Sequence, residues 1–249
     1  MNKQTLDTGS SKPTPQVTIV GLGLVGLSIG LGLKQTAGQQ AIVIVGHDKN
    51  AAAAEQARKV KAVDRTEWNL VSAIETANVV ILDLPLPEIR PTLAAIAGEL
   101  PPGCIVTDTA SLKLPVLQAA AELLPAHVSF VGGHPVIAAT DASFYKATPA
   151  LFRQLPYCLT VAPDTSAEAT QVVSDLADRL GAKVLYLDAA EHDGLMASVE
   201  TTPSILAAIL LTVARRGAWK EISKVAGAQF DASTRLAAES AAALAQATL

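Results

Sequence analysis

The stretch Val17-Thr-Ile-Val-Gly-Leu-Gly-Leu-Val-Gly-Leu-Ser-Ile-Gly30 decides the fold of this chain. Its first four residues are apolar or β-branched, which predicts a buried strand, and a helical pattern continues after Gly26 as far as Leu33. Gly21 permits a tight turn, Gly23 lets a pyrophosphate approach the backbone, and Gly26 lets helix and strand pack closely. The helix N-terminus then offers free N–H groups to phosphate oxygens. The predicted diphosphate site comprises Gly21, Leu22, Gly23, Leu24, Val25 and Gly26.

A second apolar stretch, Ala41 to Val45, follows this helix and leads into Gly46-His47-Asp48. Asp48 lies 22 residues past Gly26, where an acidic side chain accepts hydrogen bonds from an adenosine ribose. Because a carboxylate repels a 2′-phosphate, we expect NAD as the cofactor. NADP is the alternative, since Lys49 is adjacent. The competing interpretation is a glycine turn followed by a surface aspartate.

Composition limits the class of protein. The chain has 249 residues, of which 50% are hydrophobic and 17% charged, so it folds around a sizeable core and is not a disordered chain. The net charge of −4 and the lack of a basic run argue against a nucleic-acid partner. The two cysteines form neither a metal-site spacing nor a disulfide framework, so we predict reduced core thiols and no metal.

We also expect a cytoplasmic protein with no membrane partner. The most apolar helical stretch, Ile205 to Val213, is too short to span a bilayer. Residues 1–16 lack the apolar core of a signal peptide and are predicted to be a flexible lead-in.

Strand and helix patterns alternate along the chain. Strands are predicted at 17–20, 41–45, 78–82, 104–107, 128–131, 157–161 and 183–187, and the helices after the first at 50–61, 66–76, 88–100, 114–124 and 166–180. This alternation predicts an α/β fold with a doubly wound, Rossmann-type, largely parallel sheet. No strand pattern follows Glu191. We therefore expect a dinucleotide-binding domain at 17–188 and a smaller helical domain at 189–249 that binds substrate and pairs with a second copy of the chain.

Two polar clusters fall at predicted strand ends, where ligands bind in open α/β sheets. The first is Asp108-Thr-Ala-Ser111-Leu-Lys113, and the second is Gly132-Gly-His134-Pro135. The glycine pair predicts a sharp turn that places the imidazole of His134 at the mouth of the cleft. A histidine there suits a general base, and the alternative is a turn histidine without chemistry. Leu84 and Pro85 follow the strand at 78–82 and are predicted to contact the cofactor.

The ordered motifs resemble a known family. They are VTIVGLGLVGLSIG (17–30), VGHD (45–48), VTDTASLK (106–113), FVGGHP (130–135), EHDGLMA (191–197) and GAQFDASTRLA (227–237). This series is similar to the prephenate/arogenate dehydrogenases of tyrosine biosynthesis, over roughly residues 17 to 240. The resemblance implies oxidative decarboxylation of a cyclohexadienol, with hydride transfer to NAD(P) and loss of CO₂.

The resemblance also implies roles for particular residues. His134 would hold the ring hydroxyl and take its proton, and Ser111 would share a hydrogen bond with that hydroxyl and the nicotinamide. Arg235 would clamp a substrate carboxylate, and Thr201 and Ser204 occupy substrate-binding positions. His192-Asp193 would be structural, with Asp193 as a helix cap or as a partner of an active-site residue.

Each role has a rival explanation. Ser111 is also suited to be the N-cap of the helix at 114–124. Lys113 is expected to be solvated, with phosphate neutralisation as the alternative. Arg235 has Asp231 and Glu239 four residues away on either side, so a surface salt bridge competes with the carboxylate clamp.

Three departures from the family pattern point to a changed substrate or to lost activity. Glu200-Thr-Thr-Pro-Ser204 stands where the family has Ser-His-x-Pro-His. The loop at 136–141 lacks the usual Gly-Thr-Glu. The helical domain is short, ending 14 residues after Arg235. The alternatives to the dehydrogenase are a related reductase acting on another substrate and a non-catalytic nucleotide-binding paralogue.

Overall fold

The computed structural model describes residues 14–36, 41–137, 146–217 and 219–246, with side chains as far as Ala237. Most of the predicted lead-in, residues 1–13, lies outside the described part, and so does most of the loop at 136–141. Gln16 already belongs to the first strand.

Eight strands and ten α-helices make up the described fold. The strands are β1 (Gln16–Val20), β2 (Val43–His47), β3 (Arg65–Thr66), β4 (Val79–Leu82), β5 (Ile105–Asp108), β6 (Ser129–Pro135), β7 (Pro156–Val161) and β8 (Lys183–Tyr186). The helices are α1 (Leu24–Thr36), α2 (Ala51–Lys59), α3 (Leu70–Ile74), α4 (Leu86–Ile96), α5 (Leu114–Leu123), α6 (Ala167–Arg179), α7 (Ala189–Met196), α8 (Thr202–Arg216), α9 (Trp219–Val225) and α10 (Ala228–Gln246). A π-helical turn, Ala197–Thr201, joins α7 to α8.

The strands form one sheet in the order β3-β2-β1-β4-β5-β6-β7-β8. Pairing is parallel throughout except between β6 and β7, which are antiparallel. The predicted doubly wound, largely parallel sheet followed by helices is confirmed. The antiparallel step was not predicted, because two strands of similar composition carry no local signal of their relative direction.

Each face of the sheet buries its own apolar core. One core joins α1, α2 and α6 to the sheet and contains Leu27 and Val173. The other joins α3, α4 and α5 and contains Leu93 and Val116. Helices on both faces explain why the parallel strands are apolar on both sides.

Several predicted boundaries are displaced, and two of the displacements have a clear cause. The helix predicted at 66–76 is shorter, because Arg65–Thr66 pairs with β2 and Asn69 caps α3 by accepting a hydrogen bond from the Ser72 amide. The strand predicted at 128–131 runs on to Pro135, because β7 pairs with it through His134 and Pro135.

The register brings the carboxyl ends of four strands into one row. Val20 pairs with Leu82, and Leu82 pairs with Asp108. Thr107 pairs with Val131, so β6 passes beside these ends and continues beyond them to His134 and Pro135. The glycine turn after β1 and His134 near the end of β6 therefore lie on the same edge, three strand spacings or about 14 Å apart.

The helical segment is much more exposed than the sheet. Helix α10 packs against α8, while only Ala207 of α8 is buried. Among the described residues, the run Ala189–Arg216 is 28 residues long and contains a window of mean hydropathy 1.5, which is enough to cross a membrane by length and composition alone. The expectation that the apolar stretch is too short is wrong on this point, because α7, the π turn and α8 form one continuous helix.

Candidate active site

The glycine turn after β1 has the geometry that the motif predicts. Gly21 has φ +98°, and a Cβ there would lie 1.9 Å from the carbonyl oxygen of Asp83. A Cβ on Gly26 would lie 2.1 Å from the Gly21 carbonyl oxygen, so this glycine allows the helix to approach the turn. At Gly23 the nearest atom to a Cβ is an Asp83 carboxylate oxygen, 3.8 Å away. Gly23 therefore leaves open space where a diphosphate fits.

The first amides of α1 are partly used within the protein. The Leu27 amide donates to the Gly23 carbonyl over 3.0 Å, and the Gly26 amide donates to Asp83 Oδ2 over 2.7 Å. The earlier amides, those of Leu24 and Val25, have no intrahelical acceptor because they begin the helix. These two N–H groups are the ones available to phosphate oxygens.

Asp83 is an acidic residue beside the glycine turn that the sequence did not identify as part of the site. Its other carboxylate oxygen accepts a hydrogen bond from Thr109 Oγ1 over 2.7 Å. Burial raises the pKa of Asp83 to about 6, and the Asp48 carboxylate raises it further, against the hydrogen bonds from Thr109 and Gly26. Its position directly after β4 was the available signal, since strand ends at this edge face the ligand.

The Asp48 carboxylate stands at the rim of a cleft of about 300 Å³. Oδ2 accepts a hydrogen bond from the Leu22 amide and Oδ1 from the Asn50 amide, both over 2.7 Å. The cleft is lined by Val20, Gly21, Gly23, His47, Asp48, Lys49, Asn50, Leu70, Asp83, Leu84, Pro85, Glu88 and Thr92. The structure thus brings the predicted ribose, diphosphate and Leu84–Pro85 positions together around one cleft, which fits a dinucleotide.

At the other end of this edge, His134 lies inside β6 and not in a turn. Gly132 and Gly133 are strand residues paired with Thr160 and Leu159 of β7. A Cβ on Gly133 would lie 2.5 Å from the Asp108 carbonyl oxygen. The predicted sharp turn is therefore wrong: glycine is needed here because neighbouring chains approach closely. His134 nevertheless lies at the edge of the sheet where the parallel strands have their carboxyl ends.

A hydrogen-bonded chain runs from His134 into the helical segment. His134 Nδ1 lies 3.0 Å from His192 Nε2, and His192 Nδ1 lies 2.8 Å from Asp193 Oδ1. The Asp193 carboxylate also accepts the backbone amides of Lys113 over 2.7 Å and Leu114 over 3.0 Å. Asp193 thus caps α5, a helix that the resemblance did not identify, and in addition it contacts His192.

Burial keeps the base candidate neutral. It lowers the pKa of His134 to about 3, assisted by the nearby positive charge of Lys113 and by His192, while Asp193 acts in the opposite direction. His134 Nε2 makes no hydrogen bond within the described residues, and its nearest acid is Glu200, 3.9 Å away. Burial also raises the pKa of Glu200. An unprotonated imidazole nitrogen without a hydrogen-bond partner among the described residues is able to accept a proton.

Lys113 is wholly buried, so its predicted solvated position is wrong. Its ammonium pairs with the buried Asp108 carboxylate and donates to the Gly133 carbonyl oxygen. Burial lowers the pKa of Lys113, and the Asp108 charge opposes this effect. The alternating polar residues of the motif did not show that β6 and α5 enclose this side chain. Lys113 supports β6 from within and is not available to a phosphate.

Ser111 lies in the loop between β5 and α5 with an exposed side chain. It is not the N-cap of α5, because that position belongs to Lys113 and the helix amides are held by Asp193. Its hydroxyl is therefore not committed to the cap that sequence reasoning offered as the rival explanation.

The structure does not bring the predicted substrate residues into contact with His134. Arg235 is exposed on α10, and within the described side chains it forms no ion pair with Asp231; the side chain of Glu239 lies outside that part. Thr201 is exposed on the π turn, and Ser204 Oγ donates to the Glu200 carbonyl over 2.9 Å. Glu200 is the member of this segment that approaches His134.

His192 and Glu200 are further site residues that sequence reasoning undervalued. The His-Asp pair was noted as a motif, but its contact with His134 depends on docking α7 against β7 and α5. The π turn that carries Glu200 has no reliable sequence signal, although such turns are frequent at functional sites.

Comparison with known proteins identifies the family of the chain. The chain matches the family model described as prephenate dehydrogenase, nucleotide-binding domain, over residues 29–186. It is 31% identical over 198 residues to the prephenate dehydrogenase of Lactococcus lactis subsp. cremoris, covering 79% of this chain and 53% of that protein. It is 29% identical over 230 residues to the Bacillus subtilis prephenate dehydrogenase, covering 91% and 61%.

The fold agrees as well. The crystal structure of Synechocystis arogenate dehydrogenase superimposes with a TM-score of 0.74 at 27% identity, covering 89% of this chain and 78% of that one. The chain spans 53% and 61% of the length of the two curated relatives above. Because the family model matches well over half of the residues, the chain belongs to the prephenate dehydrogenase family.

Proposed function

We propose that this protein is an NAD-dependent dehydrogenase that oxidatively decarboxylates prephenate or arogenate in tyrosine biosynthesis. The observation that carries the proposal is His134: a buried, neutral imidazole whose Nδ1 is anchored and whose Nε2 is unbonded within the described residues. It stands on the same sheet edge as a glycine turn suited to a dinucleotide. Hydride removal from an alcohol requires a base for the hydroxyl proton and a bound nucleotide that accepts the hydride. The two ends of this sheet edge are suited to these two tasks.

The chemistry follows from the substrate class. A bound oxidised nicotinamide would supply the acceptor for the hydride on the ring carbon that carries the hydroxyl. His134 Nε2 takes the hydroxyl proton as the carbonyl forms, because the hydroxyl becomes strongly acidic at that moment. The ring carboxylate leaves as CO₂, its bonding electrons complete the aromatic ring, and the former carbonyl oxygen takes the proton back from His134 to become the phenol hydroxyl. A neutral, weakly basic imidazole is sufficient for this proton transfer.

The remaining predicted residues have positioning roles in this proposal. Ser111 donates a hydrogen bond to the ring hydroxyl region from the β5–α5 loop. Arg235 binds a substrate carboxylate through its guanidinium fork, which suits bidentate anion binding. Thr201 and Ser204 contact the polar side chain of the substrate. Each of these roles requires the helical segment to close over the sheet edge.

NAD is the proposed cofactor, with NADP as the alternative. Asp48 is held by two backbone amides so that its carboxylate faces the cleft rim. That charge favours ribose hydroxyls and disfavours a 2′-phosphate. Both cysteines are buried and free, which is compatible with the cytoplasmic location that we propose.

We further propose that the protein is a homodimer through its helical segment. Five apolar side chains of α8 are between 40% and 63% exposed: Ile205, Leu206, Ile209, Leu210 and Val213. An exposed apolar stripe of this kind is typical of a protein or membrane contact. A second copy is the favoured partner, because the same continuous helix is docked on the sheet domain through wholly buried His192 and through the α5 cap.

The dimer is tested by sedimentation of the purified chain. The double variant Leu206→Glu/Val213→Glu is expected to be monomeric, while Val60→Glu on the sheet domain, the matched control, leaves the assembly unchanged. A native chain that sediments as a monomer, or that requires detergent to stay in solution, would overturn the proposal.

The proposed function is tested by reduced-nicotinamide absorbance, with NAD and NADP each assayed against prephenate and arogenate. Turnover of one substrate with one cofactor supports the reaction and identifies both. Nucleotide binding by calorimetry with no turnover in any combination would contradict the dehydrogenase and favour the reductase or the non-catalytic paralogue.

A further inference from the structure

Three hydrogen-bond donors converge on the carboxylate of Asp193. They are the Lys113 amide, the Leu114 amide and, at 2.8 Å, a ring nitrogen of His192. Burial alone would raise the pKa of Asp193, but the hydrogen bonds from His192 and from the two amides hold it below its ordinary value. Asp193 is therefore an anion that only accepts hydrogen bonds. The nitrogen of His192 that faces it must carry a proton.

This requirement propagates to His134. His192 is wholly buried, so a positive charge on its ring is unfavourable. A neutral His192 with its proton on Nδ1 has a lone pair on Nε2. That lone pair faces His134 Nδ1 at 3.0 Å, so His134 Nδ1 must be the donor. The proton of neutral His134 is then on Nδ1, and the lone pair is on Nε2, which makes no hydrogen bond within the described residues.

We propose that Asp193 and His192 are positioning residues that fix the tautomer of His134, so that its Nε2 is ready to accept the substrate proton. This inference rests on the proposed role of His134 as the base. The Asp193 carboxylate, which belongs to α7 and caps α5, therefore also sets which nitrogen of His134 in β6 is protonated. Docking of α7 onto the sheet domain is thus needed to prepare the base.

The alternative arrangement has the opposite polarity. If His192 were doubly protonated, it would donate to both Asp193 and His134 Nδ1, and the proton of His134 would be on Nε2. A proton on Nε2 would prevent that nitrogen from acting as a general base. The two arrangements have the same heavy-atom distances and differ only in where the protons are.

The charged and titratable groups facing His134 come from every neighbouring element. They are Asp108 of β5, Lys113 at the start of α5, Cys158 of β7, His192 and Asp193 of α7, and Glu200 of the π turn. Asp108 and Lys113 pair with one another. Glu200 approaches Nε2, whereas the His192–Asp193 pair contacts Nδ1. The tautomer is therefore controlled from the Nδ1 side.

Histidine ¹⁵N resonances of the full chain, without cofactor or substrate, test the proposal directly. We expect His134 and His192 both to carry a single proton on Nδ1 at about pH 7, although free histidine prefers the Nε2–H form. His134→Asn and His192→Gln variants assign the two signals. A proton on His134 Nε2, or a doubly protonated His192, would overturn the inference without any activity measurement.

A matched pair of variants links the tautomer to turnover. Asn is as good a helix cap as Asp, but Asp193→Asn offers one oxygen where three donors converge. We expect its His134 to populate the Nε2–H form and kcat to fall about 10²-fold, less than the roughly 10⁴-fold loss known for the equivalent Asp→Asn change in a serine protease. The control is Asp188→Asn, which removes the same charge from the N-cap of α7, where the Asp188 side chain accepts the Ala190 amide and makes no hydrogen bond to the His192 ring.

The outcomes separate this inference from the proposed function. Nδ1–H tautomers in a chain that turns over neither prephenate nor arogenate would refute the dehydrogenase and leave the tautomer assignment standing. Turnover by a chain whose His134 carries its proton on Nε2 would refute the assignment alone. An Asp193→Asn variant with native kcat and an unchanged pH profile would also refute it.

Discussion

The two ends of the candidate site are built in different ways. The nucleotide end uses backbone amides and glycines from one continuous stretch, Gly21 to Gly26, together with Asp48. The base end uses side chains from β6, α7 and the π turn, which are separated by up to 66 residues in the sequence. One end is a local structure that a short motif specifies, and the other exists only after the helical segment docks against the sheet.

This difference predicts where each end is vulnerable. Backbone donors cannot be removed by substitution, so the nucleotide end tolerates many side-chain changes outside its glycines. The base end depends on single side chains and on buried charges. We therefore expect changes near His134 to have larger effects than changes near the nucleotide cleft.

The largest effect is expected for His134→Asn. Loss of a general base typically lowers turnover by about 10²- to 10⁴-fold, and the nucleotide end should be unaffected. Steady-state kinetics with the active substrate, alongside calorimetric titration of NAD, measures the two ends separately. His127→Asn, a change of an exposed histidine, serves as the control. Near-native turnover in His134→Asn would show that the base is elsewhere.

The next largest effect concerns stability. Lys113→Met leaves the Asp108 carboxylate buried without its cation, so the free energy of unfolding should fall by about 3–5 kcal/mol. Asp108→Asn combined with Lys113→Met should recover part of this loss. Lys34→Met breaks the partly exposed pair with Asp64 and should cost less than about 1 kcal/mol. Denaturant unfolding measures all three, and equal losses for the two lysines would contradict the buried-pair interpretation.

The same contrast explains what the sequence was able to predict. The alternation of strands and helices, the glycine turn and the position of Asp48 follow from periodicity and local spacing, and the structure has them where expected. The strand extension through His134 and the burial of Lys113 do not, because both depend on the antiparallel pairing of β6 with β7. The hydrophobic pattern of a strand does not indicate which other strand will pair with it.

The sequence predicted the base end only in part, for a related reason. His134 and the His-Asp pair were identified as separate motifs, but their hydrogen bonds span 58 residues and cross two parts of the fold. Asp83 and Glu200 were missed as site residues because each is a single acid without a motif. Their significance comes from what they face, the amide of Gly26 and the imidazole of His134.

A smaller effect is expected for Arg235→Gln, which tests whether the helical segment reaches the site. Loss of a charged hydrogen bond to a substrate carboxylate corresponds to about 1.5–3 kcal/mol, or a KM raised roughly 10- to 100-fold with little change in kcat. Arg216→Gln, at an exposed position of α8, is the matched control. An unchanged KM would leave Arg235 as a surface residue and would separate the helical segment from substrate binding.

The smallest effect is expected at Asp83, whose negative charge lies at the nucleotide end and would repel a diphosphate. Its pKa of about 6 lies above the ordinary 3.8. Between these two pH values, Asp83 is therefore mostly protonated in the folded protein and mostly ionised in the unfolded chain. The stability contributed by this proton is present below about pH 4 and is lost as the pH rises to about 6. An anionic diphosphate nearby favours the protonated form further, so NAD affinity should fall as the pH rises through 6.

Asp83→Asn separates this charge from the rest of the cleft. At pH 5 the variant and the native chain should bind NAD about equally, because Asp83 is already protonated. At pH 8 the variant should bind several-fold more tightly, since two like charges a few ångströms apart in a partly wet cleft repel by about 1 kcal/mol. Calorimetry at both pH values measures this. Glu88→Gln, which removes another acid that lines the cleft, is the matched control and should keep the native pH dependence. A pH dependence that survives in Asp83→Asn would remove Asp83 from the diphosphate site.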